Sequence, residues 1–234
     1  MKTLEGTLKT TIIASDDQKH VYEICREFDC EGEEVILLTL YPTLVEPNTF
    51  DLSSIHLMNH ASDSGLNFKK VHFVYLFSRV ASSKLSTKGL SVDKDNLNYL
   101  REIITKLPDA KIIIAFGSSM EKCPAVIRSK VELFKMIKEL RLNDALWQIS
   151  ADGLEEESPH ILFCGIRFNY TEWGLRHYVV PIKYTEKGYE EYLANKKAAR
   201  ERFIKNVLSK KGMATKDESD EKPKRGKKND NTKS

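Results

Sequence analysis

The chain has 234 residues, of which 41% are hydrophobic and 30% charged, with a formal net charge of +3. That is the composition of an ordinary globular protein of about one domain, so neither a disulfide framework nor a structural metal has to make up for a small core. The longest apolar runs, Val35–Leu38 and Ile112–Phe116, are far too short to span a bilayer, and Met1-Lys-Thr-Leu-Glu has no signal-peptide core, so a cytoplasmic protein is expected.

Taken in chain order, Thr10–Ala14 is a short β-like run, and Val21–Phe28 fits a strand or a short helix. Val35–Leu40 is a near-continuous aliphatic run, the pattern of a strand buried on both faces. Tyr41-Pro42-Thr43 ends it, because proline cannot donate to a sheet ladder. Residues 44–67 are loop-rich, with a helix expected within Leu52–Ala61, starting near Ser53 or Ser54. Val71–Phe77 is the second strand and Ser78–Leu90 a polar loop. Asp93–Leu107 places Leu97, Leu100, Ile103, Ile104 and Leu107 on one helical stripe that Pro108 ends. Lys111–Phe116 is a third buried strand that runs into Gly117-Ser118-Ser119. Val126–Leu140 follows as an amphipathic helix and Asp144–Ser150 as a fourth strand. Ile161–Phe168 and His177–Ile182 read as a late hairpin or two edge strands, and Glu186–Ser209 as a long charged helix.

Residues 209–234 carry nine Lys/Arg and five Asp/Glu, a net of +4, which leaves residues 1–208 near −1. With almost nothing apolar, this lysine-rich stretch cannot offset its own ordering entropy. A folded domain over 1–208 and a disordered tail over 209–234 are expected, the tail serving as a tether for phosphate backbones or as a solubilising segment. Strands alternating with helices predict a three-layer α/β/α fold around a mostly parallel sheet. Ligands of such sheets sit at the carboxyl ends of the strands. The loops after Leu40, Phe77, Phe116 and Ser150 are therefore expected around one cleft.

The four cysteines, Cys25, Cys30, Cys123 and Cys164, form no CxxC pair, so reduced thiols and no zinc site are expected. There is no Walker loop, GxGxxG, GxSxG or HExxH, and no cofactor is expected. Four loop features remain: Leu40-Tyr41-Pro42-Thr43 with Asp51 shortly after, Tyr75-Leu76-Phe77-Ser78-Arg79, Ala115-Phe116-Gly117-Ser118 and Ser158-Pro159-His160.

The order of these four resembles the uracil-DNA glycosylase superfamily, and within it the mismatch-specific branch. Over roughly residues 20–165 the chain also looks like a bacterial family of undefined function, partly carried on mobile genetic elements, with an Asn-Pro-Ser loop and a late Pro-x-His segment. The resemblance implies a DNA-binding protein of uracil-DNA glycosylase-like fold that hydrolyses the N-glycosidic bond of uracil or another damaged base. By the same resemblance Tyr41 stands where a water-positioning Asn or Asp is the rule, and Tyr75 where an Asn reads the base edge. His160 matches the donor to the developing charge on the base. Pro42, Thr43, Asp51, Arg79, Gly117 and Ser118 complete the implied substrate site, with Phe50, Phe77 and Phe116 as stacking platforms. The two tyrosines keep a second reading open, a catalytically inactive module of the same fold that binds nucleic acid or a small protein inhibitor or partner.

Overall fold

The structure, a computed structural model, describes residues 1–43, 45–63, 66–169 and 172–217. Its strands are β1 (Leu8–Ala14), β2 (Val21–Phe28), β3 (Glu33–Thr39), β4 (Phe68–Tyr75), β5 (Lys111–Ile114), β6 (Leu146–Ser150) and β7 (Gly174–His177). Its helices are α1 (Leu52–Asp63), α2 (Lys94–Lys106), α3 (Pro124–Glu139), α4 (Ile161–Arg167) and α5 (Glu186–Asp217). No described helix is long and apolar enough to cross a membrane.

The seven strands form one sheet in the order β1-β2-β4-β3-β5-β6-β7. The central four, β4-β3-β5-β6, are parallel, whereas β1, β2 and β7 join antiparallel. The sheet is thus mixed rather than mostly parallel. The parallel part is what the aliphatic runs announced: Val35, Ile36, Leu37 and Leu38 are all fully buried, as strands covered on both faces must be. One face, with Val35, Leu37, Phe73, Tyr75 and Ile113, packs on Leu57 of α1 and on Ile161 and Cys164 of α4. The alternate residues Ile36, His72 and Ile112 share the other face, where Tyr99 of α2 reaches across to Glu23. Helix α1 packs against α4, and α2 against α3.

Two expectations for the late segments need correction. Ile161–Phe168 is not a strand but contains α4, which begins at the His160 cap. Among the described residues there is no late hairpin; the edge strand is β7, which ends five residues earlier than expected and pairs with β6. Helix α1 starts at Leu52 because the Asp51 carboxylate accepts from the Ser54 N–H and Oγ–H, both at 2.9 Å. The compact unit that carries the sheet ends at Tyr189, and a second unit starts at Glu190. Helix α5 continues to Asp217, through the expected boundary at 208, and the rest of the expected disordered tail lies outside the described residues.

Candidate active site

The chain leaves β3 for α1 on one face, and leaves β5 for α3 on the other. Adjacent parallel strands whose loops diverge in this way leave a crevice at their carboxyl ends. A cavity of about 810 Å³ opens there. That is within the size of small-molecule sites, about 300–1,000 Å³.

Tyr41 and Thr43 follow β3 into the cavity wall, Tyr75 comes from the end of β4, and Gly117 and Ser118 come from the turn after β5. Asp51 at the start of α1 and His160 at the start of α4 line the same cavity. With Phe116, eight of the twelve residues expected in the site therefore share one cavity. The other four do not line it. Pro42 is buried and its carbonyl accepts from the Ala81 N–H at 3.0 Å. Phe77 is buried, with its N–H on the Leu40 carbonyl at 2.9 Å. Arg79 is exposed and bridges to His20. Phe50 lies under the Arg26 guanidinium, 4.1 Å from its ring centroid, so that face of the ring is already occupied. Phe116 does line the cavity, and the Lys130 ammonium stands 4.6 Å from its centroid.

His160 is the most constrained group. Its Nδ1 accepts from the Leu162 N–H at 3.2 Å. In a neutral imidazole the proton then sits on Nε2, which leaves that atom a donor. Burial lowers the His160 pKa, outweighing the opposing pull of Asp51 and Glu156, so the neutral form is favoured. The backbone holds the ring in place: Ser158, at φ +47°, donates its N–H to Gln148 Oε1 at 2.7 Å and accepts from the Gly117 N–H at 2.8 Å. Gly117 itself has φ +63°, and a Cβ there would meet the His160 Cβ at 2.9 Å, so the histidine fits only against glycine.

The phenols are less available. The Tyr41 hydroxyl donates to the Ser83 carbonyl at 3.1 Å. Burial, with Asp51 adding to it, pushes the Tyr75 hydroxyl far above the ordinary phenol range, so it stays protonated and acts as a donor. Asp51 and Glu156 are the charged residues in the lining, and no lysine or arginine lines the cavity among the described residues. The cavity therefore suits a neutral, hydrogen-bonding ligand better than a phosphate.

Sequence reasoning missed Arg26. This residue of β2 is 1% exposed and donates to the carbonyls of Pro47 at 2.7 Å and Thr49 at 2.9 Å, and to Thr10 Oγ1. It fixes the loop that delivers Asp51. An arginine in the middle of the β-like run Val21–Phe28 was the available signal. Sequence reasoning also missed a second cluster, Glu23, Cys25 and His72, on the opposite face of the sheet.

A family model described as a protein of unknown function (DUF1643) matches residues 22–153. The matched stretch runs from β2 past β6 and stops short of Pro159-His160. No curated protein and no solved structure matches the chain. A family of undefined function is what the four loop motifs led us to expect, and none of these comparisons carries the further link to glycosylases.

Proposed function

The chain belongs to this family of unknown function, DUF1643, and we propose that its strand-end cavity takes a nucleobase, in a uracil-DNA glycosylase-like protein that binds DNA and hydrolyses an N-glycosidic bond. The observation that carries the reading is the fixed tautomer of His160, with Nδ1 on the Leu162 N–H and Asp51 in the same cavity. A neutral imidazole that donates from Nε2 suits a base oxygen that gains negative charge as the bond to the sugar breaks. Asp51 takes the role that the motif order had given to Tyr41. Its carboxylate orients the attacking water and offsets the positive charge that develops on the sugar. Water adds at the sugar carbon, the bonding pair departs with the base, and the water's proton passes through Asp51 to solvent. The lack of basic lining among the described residues fits an extruded neutral base, with phosphate contacts made elsewhere.

The test is base release from single- and double-stranded DNA carrying uracil or other damaged bases. Wild type is expected to release one of them, and His160→Ala to lose about 10²–10³-fold in rate, the size of a lost oxyanion donor. Wild-type release no greater than that of His160→Ala on every substrate would sink the enzymatic reading. One observation favours the second reading, a non-catalytic binding module: the Tyr41 hydroxyl is spent on the Ser83 carbonyl where the motif calls for a water-positioning amide or carboxylate. Salt-dependent DNA affinity without base release selects that reading.

A further inference from the structure

We propose that Glu23, Cys25 and His72 bind a divalent metal ion of the zinc type, on the face of the sheet opposite the cavity. One ligand atom from each lies within 4.8 Å of the other two, and all three residues are buried. The register explains the convergence. Cys25 of β2 is the antiparallel partner of His72 of β4, and Glu23 lies two residues along β2, on the same face.

Three features suit this cluster to a metal ion. First, Cys25 Sγ, a soft ligand atom, stands with the carboxylate and the imidazole. Second, the outward atom of each neighbour is already held. His72 Nε2 meets Glu34 Oε1 at 2.8 Å, and the Tyr99 hydroxyl donates to the second oxygen of Glu23. A metal-bound histidine almost always gives its other ring N–H to a carboxylate, and ligating carboxylates are hydrogen-bonded in turn. Third, the outer carboxylate is itself anchored, by Lys70 at 2.8 Å from Glu34. Thiolate, imidazole and one carboxylate select zinc-type ions over magnesium or calcium.

The ion takes the place of a proton. His72 Nδ1 lies 2.5 Å from Glu23 Oε1. Bonds of about 2.0–2.3 Å at tetrahedral angles hold ligand atoms about 3.3–3.7 Å apart, so this contact opens by roughly 1 Å on binding. The Glu23 side chain supplies that movement by rotating about its own torsions. Uptake of the ion expels protons from the cluster.

The experiment uses the full chain, expressed with zinc and desalted. About one zinc per chain is expected by elemental analysis. Cobalt(II) added to chelator-stripped wild type is expected to give sulfur-to-cobalt charge-transfer absorption in the near ultraviolet, abolished in Cys25→Ser and retained in Cys30→Ser. Folded wild type that binds no stoichiometric zinc and shows no such band overturns the proposal, as does a band that survives Cys25→Ser. The wild-type measurement stands alone if Cys25→Ser fails to fold. None of these readouts involves base release, so the proposal fails or holds independently of the strand-end cavity.

Discussion

Lys130 lies on α3 with its side chain fully buried. Its ammonium donates to the Tyr184 hydroxyl at 3.1 Å and faces the rings of Phe116 and Tyr184, both 4.6 Å away. No carboxylate pairs with it among the described residues. Burial lowers its pKa from 10.5 to about 8, against a weaker opposing pull from Glu121. Below pH 8 the lysine is charged in both states and the native state bears the full desolvation cost. Between 8 and 10.5 the native state gives up its proton first, and the cost fades. Lys130→Met is therefore expected to stabilise the protein at pH 7 by on the order of 1–3 kcal/mol, less than the full shift because the aromatic faces favour the cation. Urea melts across this range should show the gain shrinking as pH rises from 8 towards 10.5. A gain independent of pH would assign the effect to packing alone.

Single carboxylates tie helices to strand ends. Asp93 caps α2 by accepting from the Asn96 N–H at 3.1 Å, and its other oxygen takes the Ser78 N–H at 2.9 Å and hydroxyl at 2.6 Å just past β4. Asp93→Ala removes the cap and leaves two donors unmatched, so a loss of about 2 kcal/mol is expected, read as a lower urea midpoint at unchanged m-value. Both ends of this tie were legible, since Asp93 opened a clear helical stripe. The stripe held because Leu100, Ile103 and Ile104 face the sheet with no competing pattern. Helix α4 was illegible for the opposite reason. Ile161–Phe168 is an apolar run that fits either period, and its cap is a histidine rather than Ser, Thr, Asp or Asn. What decides for a helix is packing: a Cβ at Gly165 would lie 2.1 Å from the His56 ring of α1, so glycine there serves helix approach rather than a turn. The strand-end cavity was legible because loop order alone predicts which residues meet. The Glu23–Cys25–His72 cluster was not, because spacing along the chain says nothing of an antiparallel register between strands 40 residues apart.

At the scale of the molecule, charge and ligand chemistry part company. Residues 209–234 hold nine Lys/Arg, while the cavity lining holds none among the described residues. If the tail supplies phosphate contacts, truncation after Leu208 should flatten the slope of log affinity against log salt by about 1 or more, roughly one phosphate contact. Anisotropy titrations of labelled DNA at several salt concentrations read this directly, and an unchanged slope would move the contacts to the sheet-bearing unit. The position of β3 has a different consequence. It is paired on both sides, with β4 over Val35–Thr39 and with β5 over Val35–Leu38, and the residues themselves are buried. Its amide protons therefore reach solvent only when the whole sheet opens, whereas those of β1 and β7, each paired on one side, exchange by local fraying. Deuterium uptake at Ile36, Leu37 and Leu38 should thus report global stability from three adjacent amides. Slower uptake there after zinc is added would show that an event between β2 and β4 is felt by the entire fold.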